Sequence, residues 1–279
     1  MSEFPWRLTR SLASKKNRER TGLTVAEGPP SVLSALEAGV KIEFLAVSRS
    51  FEASSEFAKL EERLARRRGD IAGRIYVVPD GLFERASDTK TPLGVLCVLP
   101  WPFQFGSGGP VGCWDTPLYS CGVDIQDPGN VGAIVRAAAA AGCRAVSFFG
   151  DSADPFSPKC IRASAGAAFK VRVSRDEAAN PRAALDELHR EGLEIYRAVP
   201  RGGSPPWALD LRKGCALVVG NEAHGLREEV MVGPGRDVTV PMPGATESLN
   251  VALASGMLLY EAVRQRLSFD GASYDGIMP

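Results

Sequence analysis

Three short stretches of the chain combine amides, carboxylates, an arginine and glycines at spacings that could serve a reacting ligand. The first is DIQDPGNVGAIVRAAAAAGC, Asp124 to Cys143. Asp127-Pro128-Gly129-Asn130 reads as a turn, and Asn130 stands where it could cap the following helix. Arg136 follows among Ala133, Ala137 and Ala140. Small residues let another backbone approach closely, so an arginine among them points to a cleft or an interface. The second stretch is VVGNEAHGL, where Gly220 and Gly225 bracket Asn221, Glu222 and His224. Glycines at a strand end let a ligand approach the main chain. The third is VPMPGATESLNVALA, in which Pro241 and Pro243 stiffen a loop and Thr246 to Asn250 opens a helix. The N–H groups of such a helix start are able to receive a polar or anionic group. Each stretch also has a plainer structural role: a cap for Asn130 or Ser248, a helix-start carboxylate for Glu222, a loop imidazole for His224.

Other chemistries find less support. No GxGxxG and no GxxxxGK[ST] is present, which speaks against a dinucleotide fold and excludes a P-loop. No metal site is expected, because the only histidines are His189 and His224 and no CxxC pair exists. Cys97, Cys113, Cys121, Cys143, Cys160 and Cys215 read as small buried hydrophobes in a reducing compartment.

The elements that would position these loops alternate between strand and helix. In the first part, Leu23–Glu27, Phe44–Val47, Ile75–Val78 and Gly94–Leu99 read as strands. Ser31 is expected to cap a helix ending at Gly39, and residues 55–68 form an amphipathic helix with Phe57, Leu60 and Leu64 on one face. Pro100 to Pro110 is rich in Pro and Gly and carries no charge, which marks a linker. In the second part, strands at Tyr119–Ile125, Ala145–Phe149, Leu193–Val199, Cys215–Val219 and Val238–Val240 alternate with helices at Val131–Ala141, Arg182–Arg190 and Leu249–Leu267. Continuous apolar strands joined by helices imply a mostly parallel sheet covered on both faces, with ligands outside the carboxyl ends of its strands. The domains expected are therefore 1–104, a small α/β domain, then a linker over 105–112, then a parallel-sheet domain over 113–279.

The chain has 279 residues, 33 basic and 33 acidic, and no formal net charge. Neutrality speaks against a polycationic coat for nucleic acid but conceals a split. Residues 1–104 carry 16 Lys and Arg against 13 Asp and Glu, and the remainder carries 17 against 20. Cations cluster at Lys15, Lys16, Arg18 and Arg20, with Arg66 to Arg68 a further run. The first cluster suits an RNA-facing patch as well as a solvated helix end. No signal peptide or membrane span is expected, and the cytoplasm is the default compartment.

The three stretches together, in order, resemble the motifs of the SpoU (TrmH-type) RNA 2′-O-ribose methyltransferases of the SPOUT class. They are DPGNVGAIVRAAAAAGC, VVGNEAHGL and VPMPGATESLNVALA. The intervening SPKCIRASAGAAFKVRV, Ser157 to Val173, resembles the family's connecting segment, and Lys15 to Ser48 resembles the substrate domain that many members carry. The resemblance implies an α/β fold whose C-terminal domain is a deep trefoil knot, beside an N-terminal domain related to ribosomal and kink-turn RNA-binding proteins. It implies S-adenosylmethionine as cofactor and a homodimer with active sites at the subunit interface, the two long helices of the second part being suited to that contact. It places the cofactor near Gly220, Asn221, Glu222, Gly225, Leu226, Val240, Met242, Ser248, Leu249 and Asn250. The catalytic set it implies is Asn130, Arg136, Glu222, Ser248 and Asn250.

The reaction so implied is transfer of a methyl group to a ribose 2′-hydroxyl, most simply in ribosomal RNA. Transfer RNA as substrate, or a non-catalytic RNA-binding protein with a degenerate core, are the alternatives. Arg136 is the family's candidate for activating the hydroxyl. A guanidinium effectively never deprotonates, so Arg136 is expected to clamp the neighbouring phosphate while that phosphate or Glu222 takes the proton. Asn130 would orient Arg136 or the ribose, and Ser248 and Asn250 would hydrogen-bond cofactor or substrate.

Overall fold

A computed structural model describes residues 4–65, 74–102, 112–176, 180–244 and 247–269. Contacts divide the chain into two units. The first is Met1–Pro110 with Asp154–Lys170, and the second is Val111–Ala153 with Val171–Pro279.

The first unit is built on a sheet of order β1-β4-β2-β3. These strands are β1 (Leu23–Glu27), β2 (Phe44–Ser48), β3 (Ile75–Val78) and β4 (Val95–Pro100). β4 runs antiparallel to β1 and β2, and β3 is parallel to β2. Around it lie α1 (Trp6–Ser11), α2 (Lys15–Thr21), α3 (Pro29–Glu37), α4 (Arg49–Glu52), α5 (Ser55–Ala65) and α6 (Asp80–Ala86). Its core joins Leu12, Val25, Phe44, Phe83, Leu96 and Val98. Ser31 does not cap α3. Gly28, at φ 93°, precedes the helix and Pro29 opens it, which leaves Ser31 buried inside the first turn.

The stretch Ser157–Val173 was expected within the second domain, yet Asp154–Lys170 packs with the first unit. The cause is a buried polar join. Arg18 Nη2 lies 2.8 Å from Asp154 Oδ2, with both side chains nearly sealed from solvent. Trp101 Nε1 donates to the same oxygen at 2.9 Å, and Thr24 Oγ1 donates to the Phe156 carbonyl at 2.8 Å. The segment's helix, α8 (Pro158–Ala163), starts at Ser157, whose hydroxyl accepts from the Cys160 amide. The expected linker over 105–112 falls almost wholly outside the described residues, as do Arg66 to Arg68.

The second unit is a six-stranded sheet of order β10-β8-β9-β5-β6-β7, parallel throughout. Its strands are β5 (Leu118–Val123), β6 (Ala145–Phe149), β7 (Arg172–Asp176), β8 (Glu194–Ala198), β9 (Cys215–Val219) and β10 (Arg236–Val238). β9 is buried along its whole length, as its unbroken apolar run requires. Its helices are α7 (Pro128–Ala140), α9 (Pro181–Arg190), α10 (Glu228–Met231) and α11 (Val251–Phe269). α7 and α11 pack on each other and against β5 and β9. Leu185 of α9 and Val230 of α10 join Val123, Ile195 and Val218 in a common core. β10 lies two residues earlier than the expected Val238–Val240, because Arg236–Val238 is the stretch in register with Tyr196–Ala198. Among the described residues no helix is long and apolar enough to cross a membrane.

Candidate active site

The carboxyl ends of β5, β9 and β10 carry the loops that the sequence singled out. The first loop begins with a correction. Asp127, not Asn130, caps α7: its carboxylate accepts from the Asn130 amide at 3.0 Å. That substitution of roles frees the Asn130 side chain. Its Nδ2 donates to Glu222 Oε1 at 2.7 Å, and its Oδ1 accepts from Asn250 Nδ2 at 2.9 Å. Residues from all three motifs are thus joined in one chain of side-chain hydrogen bonds, Asn250 to Asn130 to Glu222.

The start of α11 is not left open for an anion. Asn250 Oδ1 accepts from the Ala252 and Leu253 amides at 3.0 and 3.2 Å, so this residue is the cap, and its other end completes the chain to Asn130.

The loop after β9 is held from within. Asn221 Nδ2 donates to the Asp124 carbonyl at 2.9 Å, while its Oδ1 accepts from the Ala223 and His224 amides at 2.9 and 3.1 Å. Gly220 is required by packing, since a Cβ there would sit 2.4 Å from the Gly225 carbonyl carbon. Asp124 adds an ion pair, with Arg227 Nε at 2.5 Å and Nη2 at 2.6 Å from its two oxygens. Burial opposes ionisation of Asp124, but the Arg227 hydrogen bonds and the Asp151 amide outweigh it and hold its carboxyl below the usual range. The residue pays for this junction with a left-handed φ of 57°.

Beside these loops lies a cavity of about 710 Å³, a size suited to a cofactor. Gly220, Asn221, Glu222, Gly225, Leu226, Val240, Met242, Ser248 and Leu249 all line it. Asn250 does not; it stands in the amide chain. Arg136 lies exposed on α7, and among the described residues it makes no hydrogen bond or ion pair. The structure therefore does not bring Arg136 into the chain of Asn130, Glu222 and Asn250. Ser248 is likewise exposed at the cavity.

Three features escaped the sequence reading. Val199, Pro200 and Arg201, past the end of β8, also line the cavity; the rule that ligands sit at strand ends, applied to β8, would have found them. Arg197, 7% exposed, reaches the carbonyls of Val230, Met231, Gly233 and Gly235 and lies 2.8 Å from an Asp237 oxygen. It fixes the wall that Met231 contributes. The Asp124–Arg227 pair joins residues too far apart in sequence to suggest a partnership.

In the first unit, Lys16 and Arg20 are exposed, and Lys15 lies 3.8 Å from Glu19. Arg18 is withdrawn from the expected RNA-facing set. It is 3% exposed and committed to Asp154 and to the carbonyls of Leu12 and Ala13.

Residues 118–260 match the model of the SpoU rRNA Methylase family. The chain belongs to that family. Residues 7–97 match the MRM3-like substrate binding domain, which falls within the first unit and before the SpoU match. Among SpoU-like relatives, an uncharacterised tRNA/rRNA methyltransferase of Synechocystis is 30% identical over 263 residues, which cover 92% of this chain and 89% of that one. The 23S rRNA (guanosine(2553)-2′-O)-methyltransferase RlmP of Bacillus subtilis is 29% identical, over 90% of this chain and 92% of its own. An AdoMet-bound rRNA methyltransferase from Sinorhizobium meliloti superposes with a TM-score of 0.76 at 28% identity, covering 93% of this chain and 94% of that one.

Proposed function

We propose that this SpoU-family chain transfers the methyl group of S-adenosylmethionine to a ribose 2′-hydroxyl of ribosomal RNA. The observation that carries the proposal is the hydrogen-bonded chain Asn250–Asn130–Glu222, set beside a cavity lined by residues of the second and third motifs. The S. meliloti relative is an rRNA methyltransferase with AdoMet bound, and the B. subtilis relative is a 23S rRNA 2′-O-methyltransferase.

The cavity's chemistry fits that cofactor. Leu226, Met242 and Leu249 offer apolar surface for a base, and Gly220 lets the Gly225–Leu226 main chain close against the end of β9 to shape the cavity wall. When bound, S-adenosylmethionine supplies an electrophilic methyl group on a sulfonium. The protein's task is to orient the hydroxyl and take its proton. Glu222 accepts from Asn130 through Oε1, which sets the carboxylate's orientation and leaves its second oxygen for the incoming proton. Arg136 stands with its guanidinium uncommitted among the described residues, suited to grip an RNA phosphate with two parallel bonds. Ser248 hydrogen-bonds cofactor or ribose from the cavity wall.

The same reading extends to the finer architecture. The second unit takes the deep trefoil knot that its resemblance to the SpoU family implies. The chain acts as a homodimer. Leu253, Met257 and Tyr260 form an exposed apolar stripe on α11, 50%, 41% and 70% exposed, and Arg136, Ala133 and Ala140 share a face of the adjoining α7. The first unit is the RNA-reading domain, of the ribosomal and kink-turn type, with Lys15, Lys16 and Arg20 toward phosphates. The enzyme works in the cytoplasm, where its free cysteines and its substrate are at home.

The test is methyl transfer from labelled S-adenosylmethionine to ribosomal and to transfer RNA, with mapping of 2′-O-methyl sites in cells with and without the protein. Label in ribosomal RNA at a site lost from the deficient cells is expected. Label in transfer RNA alone would move the substrate, and binding of RNA without any transfer would favour a non-catalytic protein.

A further inference from the structure

Among the described residues that line the cavity, Arg201 is the one Lys or Arg. Its neighbours there include two carboxylates, Glu222 and Glu247. A cation in such a place calls for an explanation if the ligand is S-adenosylmethionine, which carries a sulfonium and an ammonium. Both are repelled by a guanidinium, and both are suited by the acids. The ligand has a single anionic group, the carboxylate of its methionine part.

Arg201 is also presented by a well-braced loop. On one side of it, the Val199 amide donates to the Val238 carbonyl at 2.9 Å, and the Val199 carbonyl accepts from Thr239 Oγ1 at 3.0 Å. On the other, the Gly203 amide donates to the same Thr239 hydroxyl at 2.9 Å, and Ser204 exchanges hydrogen bonds with Asp237 and Thr239. Gly203 admits no side chain, since a Cβ would lie 2.7 Å from the Val238 carbonyl carbon. Thr239 thus ties both flanks of Arg201 to the end of β10. Arg201 itself is exposed and makes no hydrogen bond or ion pair among the described residues. A guanidinium on a fixed loop, without an internal partner, is preorganised for a planar anion.

We infer that Arg201 is the carboxylate anchor of the cofactor site, pairing with the methionine carboxylate of S-adenosylmethionine and so selecting ligands that carry the amino-acid tail. The inference rests on the cofactor reading above and adds to it the residue that recognises the tail.

Two ligands separate the tail from the rest. S-adenosylhomocysteine and 5′-methylthioadenosine share the adenosine and an uncharged sulfur, and only the first carries a carboxylate. Calorimetry of the full chain with each is expected to show Arg201→Met weakening S-adenosylhomocysteine by about tenfold or more, the worth of a charge-assisted hydrogen bond. Affinity for 5′-methylthioadenosine is expected to stay unchanged, and Arg201→Lys should recover part of the loss. Unchanged affinity for S-adenosylhomocysteine overturns the inference; if RNA affinity falls instead, Arg201 is a phosphate contact. Equal losses for both ligands also overturn it and assign Arg201 to the shape of the loop. A wild-type chain that binds neither ligand overturns the cofactor reading itself, a result distinct from failure of the anchor alone.

Discussion

Asn130 Nδ2 donates to Glu222 Oε1 at 2.7 Å while Asn130 Oδ1 accepts from Asn250 Nδ2 at 2.9 Å, so one amide is oriented from both sides. The direction is fixed as well, because Asn250 Oδ1 is engaged by the first amides of α11 and only its Nδ2 is left to donate. Glu222 therefore meets a donor, not an acceptor, and its free oxygen is aimed by a rigid partner.

Asn130→Ala removes that aim without touching the cap of α7, which Asp127 supplies. Turnover is expected to fall by about 10²-fold, the scale of a misplaced catalytic group. The dissociation constant for S-adenosylmethionine should change little. Single-turnover kinetics beside calorimetry checks both, and a variant with unaltered turnover would remove Asn130 from the mechanism.

Arg136→Ala addresses the phosphate clamp. The side chain is exposed and bonded to nothing among the described residues, so the fold should survive its loss. Turnover on the true RNA should drop by about 10²-fold or more. Arg136→Lys should rescue little, because an ammonium cannot make two parallel bonds to one phosphate. Wild-type turnover in Arg136→Ala would refute the role.

The N-terminal cations divide into two kinds. Lys16→Gln with Arg20→Gln should weaken RNA binding and flatten its dependence on salt while leaving thermal stability unchanged. Arg18→Met should do the reverse. It strands the buried Asp154 carboxylate, a loss of about 3–5 kcal/mol by the usual cost of breaking a buried pair. Filter binding across a salt series, with thermal melts of the same proteins, separates the two.

This division shows what kind of information the sequence carried. β9 was legible because CALVV is apolar at every position, and α7 because its alanines run from a turn to Gly142. The three motif loops were legible because glycine, proline and amides cluster there. Arg18 was not, because its partner lies 136 residues away and no local pattern separates a buried arginine from its solvated neighbours. The same reason hid the packing of Asp154–Lys170 with the first unit, which hangs on that pair. Asn130 looked like a cap because Asn and Asp are equally good caps. Only the tertiary partner Glu222 reveals which of Asp127 and Asn130 is spared for other work.

The cysteines give a direct check on packing. Cys97, Cys121, Cys143, Cys160 and Cys215 are buried, and Cys113 is exposed. Burial pushes the thiols of Cys97 and Cys121 up to about 12 and that of Cys215 up to about 11. Since the thiolate is the reactive form, a thiol reagent at neutral pH should modify Cys113 alone in the native protein and all six in denaturant. Rapid native labelling of a buried cysteine would contradict the packing.

Asp124 gives the site an acid limit. Its folded pKa lies below the ordinary carboxylate value, with burial opposing and the Arg227 bonds prevailing. A group of this kind contributes stability above its unfolded pKa, and the contribution is lost as pH falls through the folded pKa. Asp124→Asn keeps the shape and removes the charge, so it should destabilise at neutral pH by about 1 kcal/mol, a modest figure because Arg227 is 39% exposed and screened by water. Below the ordinary carboxylate value of about 4 the unfolded chain takes up this proton before the folded one does, and the gap between wild type and variant should narrow as pH falls further. Urea unfolding of both proteins at neutral and acid pH tests the sign. A gap that widens in acid would mean that Asp124 is not held ionised by Arg227, and the junction binding the first motif loop to the second would need another source.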